Sequence, residues 1–142
     1  MIVVGTSDWR GAFRDGEGTV STATTDTLPN APYTYASRFD GAPGAIPEEL
    51  LAAGHAGCFN HAVANISGQK GLTVESVHTS VEVTMGTDDH GPAITGVHIT
   101  TDATIPGATE DTFRQIAEGA RAWCAFSKAL SVEITLKATL SN

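Results

Sequence analysis

Positive charge is what this chain has least of. Eight Lys and Arg stand against sixteen Asp and Glu, for a formal net charge of −8. Nucleic acid is bound through clustered cations that neutralise phosphates, so this balance argues against such a partner. It argues equally against anionic membrane surfaces. Long apolar runs are missing too: no stretch approaches the ~20 residues that a helix needs to cross a bilayer. The first residues, Met1-Ile-Val-Val-Gly-Thr-Ser-Asp8, carry neither the basic start nor the apolar segment of a secretory signal, so a cytoplasmic address is expected. Cysteine is scarce, with two in 142 residues. In a reducing compartment two cysteines stay as thiols, and a bridge between them is transient and catalytic.

What is present reads as one α+β domain over residues 1–142, long enough for a hydrophobic core and 41% apolar. Residues 1–36 read as short strands and turns, with β-branched residues in Gly18-Thr-Val-Ser-Thr22 and a strand candidate at Tyr33-Thr-Tyr35. Residues 36–46 read as a loop. A helix of about twenty residues is predicted from Pro47, a favoured first helical residue, with Glu48 and Glu49 at the positive end of its dipole and Gly68 and Gly71 at its close. Its apolar coverage is broad, which predicts a central, buried helix.

The period then changes to two. Val77, Val81, Val83 and Met85 fall on one face of a strand, and Val97, Ile99, Ala103 and Ile105 on one face of the next, joined through Gly86–Pro92 as a hairpin. A second helix is predicted from an N-cap at Thr109, carrying Phe113, Ile116, Ala117 and Ala120 at helical spacing. A short helix follows Cys124. A last strand alternates Val132, Ile134, Leu136, Ala138 and Leu140 with polar residues.

The chemistry centres on Cys58 and Cys124. A thiol reacts as its thiolate, which needs positive or hydrogen-bonding support. Cys58 falls in mid-helix, beyond useful reach of the helix dipole. Arg38, twenty residues earlier, is a candidate partner, since a guanidinium stays charged and donates in a planar fork. A carboxylate such as Glu48 would orient it. Ten residues of helix rise about 15 Å, so Glu48 cannot touch Cys58 of its own chain along one straight helix. The same helix from a second copy, packed antiparallel across a two-fold axis, would bring them together.

Two bland readings compete. Free cysteines are among the most buried residues, so both thiols can be inert core. Arg38 and Glu48 can be solvated surface charges. His55, Cys58 and His61 recur every three residues but fan over about 120° of helix, which suits a metal site poorly. His78 and His98 fall on outward strand faces, and His90 in the hairpin loop. A non-catalytic binding protein needs none of the four residues Cys58, Cys124, Arg38 and Glu48 together. A redox sensor would form the disulfide without turnover.

The motifs then carry a resemblance. Ser37-Arg-Phe-Asp-Gly41, Pro47-Glu-Glu-Leu-Leu-Ala-Ala-Gly-His-Ala-Gly-Cys-Phe59 and Cys124-Ala-Phe-Ser-Lys128 resemble those of the OsmC/Ohr family, the osmotically inducible and organic hydroperoxide resistance proteins. Arg38 in its Arg-Phe-x-Gly setting resembles the OsmC branch. The resemblance covers nearly the whole chain. It implies antiparallel sheets wrapped around a long central helix, in an intertwined homodimer with two active sites at the subunit interface. It implies a peroxidase acting on organic hydroperoxides, with Cys58 peroxidatic, Cys124 resolving through a Cys58–Cys124 disulfide, and Arg38 and Glu48 activating the thiolate. A dithiol or lipoyl-protein reductant is implied, and no metal, haem or flavin cofactor. Phe39, Phe59, Trp123 and Phe126 are candidates to line an apolar pocket. Two departures stand out: Ala125 replaces the usual Pro after the second cysteine, and Ala45-Ile46 replaces the usual Thr-Asn before Pro47. The first is expected to loosen the turn at Cys124.

Overall fold

A computed structural model describes residues 1–142, which fall into two compact units, Met1–Leu50 and Leu51–Asn142. In the first unit, β1 (Gly5–Arg10), β2 (Glu17–Thr22) and β3 (Ala31–Thr34) form an antiparallel sheet in that order. Gly18 is paired with both Trp9 and Tyr33, and a Cβ there would stand 2.7 Å from the Tyr33 ring and 2.8 Å from that of Trp9. Its missing side chain lets those two rings meet over the strand, 5.3 Å apart.

Tyr35 does not extend the strand as expected. It opens a one-turn helix, α1 (Tyr35–Phe39), inside what reads from sequence as a loop. The cause is a capping box: Thr34 Oγ1 accepts from the Ser37 backbone N–H at 3.0 Å, and Ser37 Oγ accepts from the Thr34 N–H at 2.9 Å. Buried Ser37 also bonds the Ala45 carbonyl, so the following loop folds back on the turn that carries Arg38.

The helix predicted from Pro47 is α2 (Pro47–Gln69), which begins in the first unit and supplies its remaining length to the second. Five of its side chains are buried: His55, Phe59, Ala62, Val63 and Ser67. The second unit adds β4 (Ser76–Asp88), β5 (Gly91–Thr104), α3 (Glu110–Trp123), α4 (Ala125–Ala129) and β6 (Ile134–Leu140). Its core joins Phe59, Ala62 and Val63 of α2 to Val97, Ile99, Ala103 and Ile105 of β5 and to Phe113, Ile116, Ala117 and Ala120 of α3. The inward face predicted for β5 is the buried one, and Thr109 caps α3 as predicted, accepting from the Thr112 N–H. Emptying the Phe59 position to Ala would cost about 3–5 kcal/mol by lost burial and cavity.

Three details differ from the sequence reading. The strands run into the predicted loop to leave a two-residue turn, Asp89-His90, in which Asp88 Oδ1 accepts from the His90 N–H at 2.8 Å. A bulge opposite Thr84 and Met85 leaves Thr95 of β5 unpaired, and Met85, expected on the core face, is 39% exposed. The sheet order is β4-β5-β6, and β6 pairs parallel to β5, the one parallel pair among antiparallel ones. A parallel return needs a crossover, and α3 with α4 supplies it. No helix is long and apolar enough to cross a membrane.

Candidate active site

Within the first unit the structure joins Arg38 and Glu48. Arg38 stands in the last turn of α1 and Glu48 in the first turn of α2. Arg38 Nε donates to Glu48 Oε1 at 3.0 Å, and Nη2 makes a further ion-pairing bond to the same oxygen. The hydrogen bond to Arg38 holds the Glu48 carboxyl below its usual range against the opposing effect of burial, and the guanidinium is raised in return. The carboxylate occupies Nε and Nη2 and thereby fixes the plane of the fork.

Arg38 also lines an aromatic groove of about 260 Å³, together with Trp9, Phe13, Tyr33, Tyr35 and Phe39 among others. The rings lean on one another, Phe13 edge-on to Tyr35 at 5.1 Å and Tyr35 on Phe39 at 4.9 Å. Sequence reasoning found only Phe39 of these. The alternating partner was hidden because Trp9 and Tyr33 meet only through the β1-β2-β3 register.

In the second unit the structure brings Cys58 and Cys124 together, both as free thiols. Cys58 lies on α2 and is partly open to solvent, whereas Cys124 is fully buried where α3 ends and α4 begins. Burial pushes both thiols up. At Cys58 this is outweighed by the Cys124 thiol, by the backbone N–H groups of Phe126 and Ala125 and by the charge of Lys128, and the net shift is down. At Cys124 burial and the neighbouring Cys58 act together, and the net shift is up. The first proton lost from the pair therefore leaves Cys58, while Cys124 is the neighbour that stays protonated.

The turn at Cys124 is well formed without proline. Cys124 has φ −57° and ψ 130°, and its carbonyl accepts from the Lys128 N–H at 3.1 Å. The looser turn expected from Ala125 is not what the backbone adopts. The Ala125 backbone N–H instead helps lower the Cys58 thiol, which proline, lacking an N–H, cannot do.

The apolar residues expected around the cysteines divide differently. Phe59 is 0% exposed and belongs to the core, pointing away from any pocket. Trp123 is 57% exposed, with Lys128 Nζ 5.9 Å from its ring centre. Phe126 packs on α2, where a Cβ at Gly54 would come within 2.9 Å of its ring.

His55, weighed from sequence only as a metal ligand, and Ser127 form a contact between α2 and α4. His55 Nε2 lies 2.9 Å from Ser127 Oγ, and the His55 ring stacks on Phe126 at 5.9 Å and 19°. His55 is fully buried, and burial holds its pKa down, so the ring is neutral. Its place one turn before Cys58 on the same helix face was the available signal. His61 is exposed. His98, expected on a solvated face, bonds Thr135 Oγ1 at 2.6 Å through Nδ1.

Comparison with known proteins fits this geometry. The sequence profile of the family described as OsmC-like protein matches residues 39–138. Peroxiredoxin OsmC of Escherichia coli (strain K12) is 38% identical over 138 residues, which is 97% of this chain and 96% of that protein. The solved OsmC-like protein of Mycoplasma pneumoniae superposes with a TM-score of 0.78 at 16% identity, over 100% of this chain and 99% of that one. The organic hydroperoxide resistance protein OhrB of Bacillus subtilis superposes with a TM-score of 0.68 at 20% identity, over 97% and 98%. These two superpositions establish likeness of fold.

Proposed function

The chain belongs to the OsmC-like protein family, and from that premise we propose that it is a thiol-dependent peroxidase reducing organic hydroperoxides to alcohols. The observation that carries the reading is the divided thiol pair: a partly open Cys58 shifted toward thiolate, against a buried Cys124 kept protonated. Neither bland alternative, inert core thiols or unrelated surface charges, predicts that division.

The Cys58 thiolate attacks the distal peroxide oxygen. The O–O bond breaks, the alkoxide leaves and takes up a proton as alcohol, and Cys58 becomes a sulfenic acid. Cys124 then attacks the Cys58 sulfur, and water leaves as the disulfide forms. This protects Cys58 from further oxidation. A dithiol or lipoyl-protein reductant reopens the bridge by thiol–disulfide exchange. Electrons come from thiols throughout.

Arg38 and Glu48 complete the proposed site, in trans. Glu48 and Cys58 lie ten residues apart on α2, a rise of about 15 Å, too far for the pair to serve its own helix's cysteine. In a two-fold homodimer of single OsmC-like domains, the pair of one subunit meets Cys58 of the other. Arg38 then stabilises the thiolate and the charge developing on the peroxide. The aromatic groove beside Arg38 suits the organic tail of the substrate. We place the protein in the cytoplasm, where a reducing thiol pool sustains the cycle.

The test is intact mass with a free-thiol count after one equivalent of cumene hydroperoxide. Loss of both thiols, with Cys58 linked to Cys124 on peptide mapping, is the expected result. Two unreacted thiols after prolonged exposure would refute it and favour a ligand-binding role.

A further inference from the structure

We propose that His55 is a positioning residue for the resolving step: through Ser127 and Phe126 it locks α4 against α2, so that Cys124 stays opposed to Cys58. The inference rests on the two-cysteine peroxidase reading and concerns its second step.

Three contacts dock the short helix that follows Cys124, and all fall one turn before Cys58. Gly54 leaves room for the Phe126 ring, which a Cβ would meet at 2.9 Å. The His55 ring lies against the same Phe126, and His55 Nε2 reaches Ser127 Oγ at 2.9 Å. Residues 54, 55 and 58 share a face of α2, because side chains three and four apart stack along a helix. Cys124 immediately precedes α4 and has no side-chain cap bond of its own. Its sulfur is placed by where α4 sits, and His55 is the polar anchor of that docking.

His55 Nδ1 is buried without a partner. An orphaned N–H costs more than an unused lone pair, so we assign the proton to Nε2, which donates to Ser127 Oγ. A neutral donor of this kind orients without competing for the proton of either thiol. On the α4 side the ring meets Phe126 and Ser127.

In the step concerned, Cys124 Sγ attacks Cys58 Sγ of the sulfenic acid. The S–S bond forms, the S–O bond breaks, and hydroxide leaves with the Cys124 proton as water. Both sulfurs end at the disulfide level, with no outside oxidant. A loosened α4 slows this step but leaves the earlier attack on peroxide alone, and the waiting sulfenic acid is exposed to a second equivalent of peroxide.

The experiment measures the two steps separately in the full chain, by rapid-quench thiol alkylation and intact mass after cumene hydroperoxide. Ser127→Ala, which removes only a hydroxyl, and His55→Phe, which keeps the stack, are compared with His55→Gln, whose amide N–H replaces Nε2–H. Ser127→Ala and His55→Phe are expected to slow disulfide formation about 10- to 100-fold, as small misplacements of reacting atoms do. Cys58 oxidation stays within about 2-fold of the parent chain, sulfinic acid accumulates at Cys58, and His55→Gln recovers most of the disulfide rate. A parent chain that forms its disulfide, with all variants equally fast, overturns the positioning role alone. Equal loss of both steps in Ser127→Ala also overturns it, since that reports general damage. A parent chain that does not oxidise overturns the peroxidase reading and this role with it.

Discussion

The two units solve opposite problems. Every buried hydrophobic side chain, from Phe59 to Cys124, belongs to residues 51–142, while eight of the ten large hydrophobic side chains left exposed lie in residues 1–50. The second unit is held by a packed core shared among α2, β5 and α3. The first is held by polar bonds: sheet ladders, the Thr34–Ser37 capping box and the Arg38–Glu48 pair. A three-stranded sheet is marginal alone, and Ile2, Val3, Val4, Trp9 and Phe13 in and beside it are left in solvent. The chemistry divides along the same line. The first unit offers a guanidinium, its carboxylate clamp and an aromatic groove, and the second offers two thiols with backbone N–H groups and the Lys128 charge around them. Neither unit by itself holds all four candidate residues: Arg38 and Glu48 fall in the first, Cys58 and Cys124 in the second.

The harshest test of that division removes the thiols. Cys58→Ser is expected to abolish turnover of cumene hydroperoxide, because the thiol that remains, Cys124, is fully buried and its pKa is pushed up. Cys124→Ser should still consume one equivalent and then stall, with sulfinic acid building up at Cys58 on intact mass. Full turnover by Cys58→Ser would remove the second unit's claim to the chemistry.

The next effect sharpens the division by asking which subunit supplies Arg38. Arg38→Ala should slow Cys58 oxidation roughly 100-fold, as loss of one preorganised donor to a developing anion does. As homodimers on this reading, Arg38→Ala is slow and Cys58→Ser is inactive. Unfolded together and refolded, they form mixed dimers in which one site has both an intact Cys58 and the other subunit's intact Arg38. Activity should therefore reappear on mixing. Native mass spectra showing mixed dimers without activity would place Arg38 at its own chain's cysteine.

A smaller effect probes the N–H donors. Ala125→Pro keeps the backbone, since Cys124 at φ −57° and ψ 130° already has the extended conformation that precedes proline. It removes the Ala125 N–H, one of the groups that lower the Cys58 thiol. The Cys58 pKa should rise and oxidation at neutral pH slow by about 3-fold, the rate recovering as pH is raised. The rate is read from pH profiles of thiol alkylation. An unchanged profile would mean that Lys128 and Cys124 hold the thiolate without Ala125.

How far these features can be read from sequence depends on their range. The start of α2 at Pro47, the buried face of β5 and the Thr109 cap are written in runs of a few residues, and periodicity finds them. The α1 turn escapes because five residues are too few for a helical period, and Tyr33-Thr-Tyr35 imitates a strand. The bulge at Met85 escapes because an inserted residue leaves no composition signal. Phe59 looks like a pocket residue beside Cys58, yet its helix face turns it into the core. The four candidate residues are visible as types and motifs. Which thiol takes the charge is not, because it depends on N–H groups 67 and 68 positions away at Ala125 and Phe126. The His55–Ser127 contact spans 72 positions and is equally invisible.

The smallest expected effect concerns stability, and it separates the units by pH. His55 in the second unit is buried and neutral, with a pKa below its ordinary 6.5. The unfolded chain takes up a proton at this residue once pH falls below 6.5, and the folded chain does not. Stability is therefore lost as pH falls from about 6.5, by up to about 1.4 kcal/mol per pH unit until the folded pKa is reached. Glu48 in the first unit has its carboxyl held low by Arg38, so its contribution is full above the ordinary 4.5 and fades as pH falls through the lower folded value. The two losses occupy different windows. His55→Gln should flatten the urea-unfolding curve of stability against pH between about 5 and 6.5 and leave the lower limb intact. Glu48→Gln should do the reverse, flattening only the limb below about 4.5. If both substitutions flatten the same window, the acid response belongs to one cooperative transition, and the two units do not titrate as separate bodies.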